Sequence, residues 1–284
     1  LTPTAELADI VLPAATWLEM DYIGDFWKRH GYLLPRRKVV QIGECRSDHD
    51  MLNDLGHRVG QSEHWWDDFE GGLDYILEPS GIKWQDFKKM DNIRGQVKYR
   101  KYQERGFSTP TKKFELYSTL LENWGYDPLP KFREPPESPV SMPERHKQFP
   151  YILITGARSP GFFHTENRQV PWLRELHKDP VIEIHPETAE KEGIKEGEWV
   201  IIESVRGKVR QRAKLYAGIH PNVVGAQHAW WFPEIKEPAH GWDDSNINIL
   251  TDNAYETCDP AMGATSVRTL LCKIYPESSR QSKY

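Results

Sequence analysis

Apolar and polar positions divide the chain into two kinds of text. After Pro150, short apolar runs alternate with turn residues. Residues 151–155 and 181–185 read as strands, and 187–192 as a helix that Gly193 ends, because a residue without a Cβ accepts the left-handed cap. Residues 198–205 and 209–216 read as two strands joined by a tight turn at Arg206-Gly207. In the second of these, Val209, Gln211, Ala213 and Leu215 fall on one face, while Arg210, Arg212 and Lys214 fall on the other. That alternation predicts one buried and one wetted side. Residues 222–225 and 267–274 add further strands, and short strands with frequent turns predict a small β-barrel.

Before Pro150 the periodicity is weaker. The run from Ala8 to Pro13 predicts a buried parallel strand whose neighbours are expected upstream. Residues 17–37 mix aromatic, Gly and basic residues without a period and read as loop. A helix is predicted over 49–59, with Asp48 as its cap, Met51, Leu52, Leu55 and Val59 on one face, and Gly60 as its stop. Short helices are predicted at 72–77 and 84–90, with Trp65, Trp66 and Trp84 as packing residues. Residues 113–118 read as a strand, followed by a short helix to Gly125. The Pro-dense stretch 127–139 reads as an extended linker and domain boundary.

Composition narrows the function classes. The chain has 284 residues and a formal net charge of −5, from 37 Lys+Arg against 42 Asp+Glu, so no basic bias points to nucleic acid. No apolar run reaches the roughly 18–20 residues that span a bilayer, so direct membrane insertion is not expected. Three cysteines and 28% charged residues exclude disulfide-scaffold, collagen-like and disordered classes. The chain opens on Leu1 with no basic segment, which reads as a start in mid-protein rather than a signal peptide. Cys45, Cys258 and Cys272 are too scattered for a zinc ribbon or cluster-binding run, and the 11 histidines are dispersed. No Walker loop, Gly-x-Ser-x-Gly or His-Glu-x-x-His motif occurs. Any chemistry therefore belongs to a bound group or to chain not included here.

Several segments together carry a family resemblance. Ala8-Asp-Ile-Val-Leu-Pro-Ala-Ala-Thr-Trp-Leu-Glu19 and Phe107-Ser-Thr-Pro-Thr-Lys-Lys-Phe-Glu115 resemble stretches of the molybdopterin oxidoreductases, the dimethyl sulfoxide reductase superfamily, with Lys112 where Gly is usual. Ile154-Thr-Gly-Ala-Arg-Ser159 and Phe163-His-Thr-Glu-Asn-Arg168 resemble the opening of that family's C-terminal dinucleotide-binding domain. Residues 181–189, 193–200 and 204–207, then His228-Ala-Trp-Trp231, Asn248-Ile-Leu-Thr251 and Asp259-Pro260, continue it in order. Ala157 stands between the usual Gly and Arg, and residues 17–37 depart from the family text that frames the substrate funnel.

The resemblance implies a mixed α/β remnant followed by a β-rich, six-stranded double-psi β-barrel of the aspartate decarboxylase kind. It implies a remnant of a Rossmann-like third domain over 1–60, a loop-rich connector over 61–147 and the barrel over 148–284. The implied cofactor is bis(molybdopterin guanine dinucleotide) carrying Mo or W, with the metal ligand and an iron–sulfur cluster in upstream domains. Implied partners are those domains and an electron-transfer subunit; the compartment, cytoplasmic or periplasmic, stays open. By motif match, Thr155, Gly156, Arg158 and Ser159 should line a pterin or phosphate contact, with Arg158 as the chief charge. His164 and Thr165 match a His-Thr pair that reaches the pterin or the metal's open side, and Asn167 and Arg168 extend that contact. Asn248 matches an Asn whose amide faces a pterin edge, with His228, Trp230 and Trp231 on the loop before it. The two tryptophans fit rim packing and cofactor stacking equally.

The implied function is the cofactor-clamping C-terminal part of an oxidoreductase, inactive as a fragment. A stand-alone double-psi barrel acting as a binding module, and a non-redox hydratase or transhydroxylase of the same family, are the alternatives.

Overall fold

A computed structural model describes residues 2–24, 31–236, 239–259 and 261–279. The chain forms two compact units, one of Ala8–Phe114 and one of Leu1–Leu7 with Glu115–Tyr284. In the first, β1 (Tyr22–Gly24), β2 (Tyr32–Arg36) and β3 (Ile93–Arg94) make a small antiparallel sheet in that order. The loop expected over 17–37 thus contains two strands; its residues 25–30 lie outside the described residues. Pro35 concealed β2, since Pro gives no ladder donor, yet here it sits opposite Ile23. The core of this unit is Ile23, Leu73, Leu77, Trp84 and Phe87, contributed by β1 and by helices Phe69–Leu77 and Trp84–Phe87.

Other expectations for this half are corrected. Ala8 to Pro13 is not a buried strand: Ile10 and Leu12 are exposed, and the pairing nearby is a single parallel bridge between Ala14 and Arg46. A strand needs ladder partners, and apolar content alone does not supply them. The helix Asp48–Arg58 is capped by Ser47, whose side chain accepts the Asp50 N–H, so Asp48 is its first residue instead of its cap. Its expected apolar face is open, with Leu52, Leu55 and Val59 exposed, while Asn53 and Gly56 are the buried positions. Gly56 is required there, because a Cβ would stand 2.1 Å from the Trp65 indole nitrogen. Of the three tryptophans assigned to packing, Trp84 is buried and Trp66 is 40% exposed, lying against Gly72. Residues 113–118 form no strand, although the short helix Thr119–Asn123 does follow.

The second unit is built on a closed six-stranded mixed barrel. Its strands are β4 (Tyr151–Ala157), β5 (Val181–Ile184), β6 (Trp199–Glu203), β7 (Lys208–Leu215), β8 (Val223–Gln227) and β9 (Leu270–Pro276), and they close in the order β4-β8-β5-β7-β6-β9. Closure pairs every strand on both sides and removes free edges. The predicted alternation along β7 holds: Val209, Gln211 and Ala213 are buried, while Arg210, Arg212 and Lys214 lie towards water. Leu153, Ile182, Ile184, Val200, Ile202 and Val224 fill the interior. Helix Pro186–Glu192 covers one flank, ended by Gly193 in the left-handed conformation as expected.

Pairing directions decide where the loops fall. β4 and β8 are parallel, so Ala157 and Gln227 finish side by side. β5 runs against β8, β7 runs with β5, and β6 and β9 alternate accordingly. The segment after β4, the β6–β7 turn and the whole β8–β9 connection therefore gather at one barrel end. Residues 127–139 run without helix or strand, and this stretch is fastened to the barrel by the buried carboxylate of Glu137. One Glu137 oxygen accepts the Leu271 N–H at 2.7 Å; the other stands 2.7 Å from Arg206 and 3.4 Å from Arg145. Arg206 continues to Asp252 at 2.8 Å.

Candidate functional site

The last turn of β4 begins the site. Register slips between Thr155 and Ala157, and Gly156 forms the bulge with φ of 98°. A Cβ on Gly156 would meet nothing within 4 Å, so the backbone there faces open space. Thr155 is turned inward: its N–H and its hydroxyl both donate to the Val267 carbonyl, at 3.0 and 2.7 Å. Beyond the bulge, Arg158 is exposed and lies over the Phe163 ring at 5.7 Å, while Ser159 is buried with an unpartnered hydroxyl.

Because β4 and β8 end together, the loops that follow them meet. His228, directly after β8, has Nδ1 3.1 Å from the Ala157 carbonyl. A carbonyl only accepts, so that nitrogen carries the hydrogen and Nε2 carries the lone pair. His164 Nδ1 stands 2.9 Å from that Nε2 and is the donor. Burial holds the His228 imidazole below the ordinary histidine value; the Ala157 bond opposes this, and repulsion from His164, Arg158 and Arg168 adds to it.

Arg168 is buried, 2% exposed, between Trp230 at 3.9 Å and Phe162 at 4.4 Å from its guanidinium carbon. It donates to the His164 carbonyl at 3.0 Å and to the His228 carbonyl at 3.4 Å, tying the two loops together. Its Nε and Nη1 have no partner. Burial, then repulsion from Arg174, pushes its guanidinium down to about 9, so it stays charged at neutral pH. Three non-glycine residues in these loops, His164, Asn167 and Ala229, take positive φ of 52°, 67° and 62°. Left-handed backbone costs such residues about 1 kcal/mol or more and concentrates at functional sites.

The remaining motif residues divide. Thr165 and Asn167 are exposed beside His164, and the Thr165 carbonyl accepts the Trp231 indole N–H at 3.0 Å. Trp230 and Trp231 are both buried, and Trp230 donates its N–H to the Gln227 side chain at 3.1 Å. Asn248 is exposed on the β8–β9 connection, in a short turn where its N–H donates to Asn246. That turn packs at the β6–β7 hairpin, where a Cβ on Gly207 would stand 2.8 Å from Ile249. The motif residue Pro260 lies outside the described residues.

Sequence reasoning missed the polar core beneath the site. Gln211, fully buried, donates to the Gln227 carbonyl at 2.8 Å and accepts its N–H at 3.1 Å. The Gln227 side chain in turn accepts from Val181 N and from Trp230. The available signal was a glutamine on the apolar face of β7. Among the described residues, no group of three or more His, Cys, Asp or Glu is placed to hold a metal ion, and no helix is long and apolar enough to cross a membrane.

The barrel and this end of it fall within a known domain type: residues 151–270 match the family model described as the molydopterin dinucleotide binding domain. The chain belongs to the molybdopterin oxidoreductases of the dimethyl sulfoxide reductase superfamily. It is 30% identical to the dopamine dehydroxylase of Eggerthella lenta, over 100% of this chain and 35% of that protein. It is 32% identical to the acetylene hydratase of Syntrophotalea acetylenica, over 97% of this chain and 39% of that protein. The solved acetylene hydratase from Pelobacter acetylenicus superimposes with a TM-score of 0.87 at 30% identity, again over 97% of this chain and 39% of that one. The chain thus spans little more than a third of these relatives' length.

Proposed function

We propose that this barrel end holds pterin and pyrophosphate groups of a bis(molybdopterin guanine dinucleotide), and that the chain is the C-terminal cofactor-clamping part of a molybdenum or tungsten enzyme. The supporting observation is a convergence. An open glycine bulge, a histidine pair and buried Arg168 and Ser159 atoms without partners meet where two parallel strands end. Such donors suit an anionic, heteroatom-rich group. When bound, that group supplies the metal-centred chemistry. The Gly156 bulge admits close backbone approach, and exposed Arg158 supplies charge to a pyrophosphate. Arg168 holds the two loops in register from beneath, while His164, Thr165 and the Asn248 amide present polar edges to the pterin. In this reading the barrel is of the double-psi type, and residues 1–60 and 61–147 are a Rossmann-like remnant and a connector. The metal ligand, an iron–sulfur cluster and any electron-transfer subunit belong to the rest of the enzyme.

Arg158→Ala in the parent enzyme is expected to lower cofactor occupancy, read as molybdenum or tungsten per protein, with normal expression and folding. Unchanged metal content overturns the reading. The 32% identity to acetylene hydratase favours a second reading in which the parent is a non-redox hydratase or transhydroxylase. Turnover of the parent without any electron donor or acceptor supports that reading, and an absolute requirement for one removes it.

A further inference from the structure

We propose that the His164–His228 pair is a one-proton store that fills when an anion binds, so that occupancy of this barrel end is coupled to proton uptake at His164 Nε2. The inference rests on the reading of this end as a pyrophosphate site.

Its basis is geometric. His228 Nδ1 is committed as donor to the Ala157 carbonyl at 3.1 Å, and its Nε2 accepts from His164 Nδ1 at 2.9 Å. While His164 keeps its Nδ1–H, a proton placed on His228 Nε2 would set two donors against each other; relieving this moves the His164 hydrogen to its Nε2, so the added proton ends there in either case. Of the four ring nitrogens, His164 Nε2 is the one that can take a further proton without breaking either bond. His164 is also the exposed member, so the added charge stays in contact with solvent and ligand. Burial already disfavours charge on His228.

The surrounding charges link the store to anion binding. The groups that bear on His228 are His164 on the β4–β5 loop, Arg158 after β4 and Arg168 beneath, the two arginines both positive. Phe163 adds an aromatic edge against His164 at 4.6 Å between ring centres. Among the described residues no ion pair joins either histidine to a carboxylate. An anion bound beside Arg158 and His164 favours an added positive charge there. By reciprocity, the anion binds more tightly when the proton is present. Arg168 holds the His164 backbone, at φ of 52°, by donating to its carbonyl at 3.0 Å.

The test uses the 284-residue chain with diguanosine 5′,5′-pyrophosphate, whose doubly esterified pyrophosphate keeps a constant charge across the working range. Affinity is expected to be about tenfold higher at about pH 6 than at about pH 8, the factor that corresponds to one unit of pKa displacement. Calorimetry in buffers of unlike ionisation enthalpy should report proton uptake on binding. In His164→Gln, whose amide can still donate to His228, the pH dependence should shrink below about twofold. Ring-nitrogen NMR should show His228 keeping its Nδ1–H form throughout, with the His164 midpoint moving up on binding. Binding of equal strength at both pH values overturns the inference while leaving the pyrophosphate site standing. So does a pH dependence that survives in His164→Gln, or titration of His228 in place of His164. Absence of binding at either pH overturns the site itself and the inference with it.

Discussion

The two compact units solve the burial problem differently. The barrel encloses Leu153, Ile182, Ile184, Val200, Ile202 and Val224 behind strands that are hydrogen-bonded on both sides. The unit 8–114 gathers five buried core residues around a three-stranded sheet and leaves Ile10, Leu12, Leu52, Leu55 and Val59 exposed. Both contain apolar runs of similar length. Periodicity says which side chains share a face; whether the face is buried depends on what lies opposite it.

Mutations can break or sharpen this contrast. The largest effect is expected in the barrel interior: Ile182→Ala should cost about 2–5 kcal/mol by lost burial and a cavity. Leu52→Ala, on the open helix face, should stay within about 0.5 kcal/mol, because its side chain is already in water. Urea unfolding of both variants checks the pair, and equal losses would erase the distinction. Next comes Glu137→Gln, which removes the carboxylate shared by Arg206, Arg145 and the Leu271 N–H. Loss of one partner from a buried ion pair costs about 3 kcal/mol, and the same unfolding curves would read it as a barrel losing its hold on residues 127–139. Gly156→Ala should cost about 1 kcal/mol from its positive φ alone, since no atom obstructs the Cβ. A much larger loss would mean that the bulge is packed and not open.

Acid should act on the barrel through Glu203. Burial raises this carboxyl, but bonds from Lys208, Tyr275 and Lys273 outweigh it and leave the group below its ordinary value. A depressed folded-state value stabilises at neutral pH, and that stability is lost as pH falls through the folded value. Glu203→Gln should therefore flatten the acid limb of the stability curve, measured by thermal unfolding from neutral pH downwards.

The barrel was legible because its strands alternate cleanly and its turns carry Gly at 193 and 207. The strand pair 22–24 and 32–36 was not, since Pro35 masks one strand and the other is three residues long. The motif segments 154–159, 163–168 and 228–231 did come together at one end of the barrel, and the reason lies in parallel pairing between β4 and β8, which no local pattern encodes. Nor could spacing disclose that Arg168 lies beneath the loops, where it holds two carbonyls, or that Gln211 and Gln227 form a polar layer below them. Those roles depend on depth, and depth is set by the closed sheet.

Closure has an architectural consequence. β4 is entered, and β9 is left, at the end opposite the candidate site: Tyr151 pairs with Cys272, and Pro276 pairs with Val200 at the start of β6. The backbone flanking β4 and β9 therefore leaves on the far side from the histidine pair and the glycine bulge, while residues 127–139 reach the β6–β7 turn at the near end through Glu137 and Arg206. What precedes the barrel thus touches both of its ends, and a segment grafted in its place would have to bring its own carboxylate for Arg206 and the Leu271 N–H.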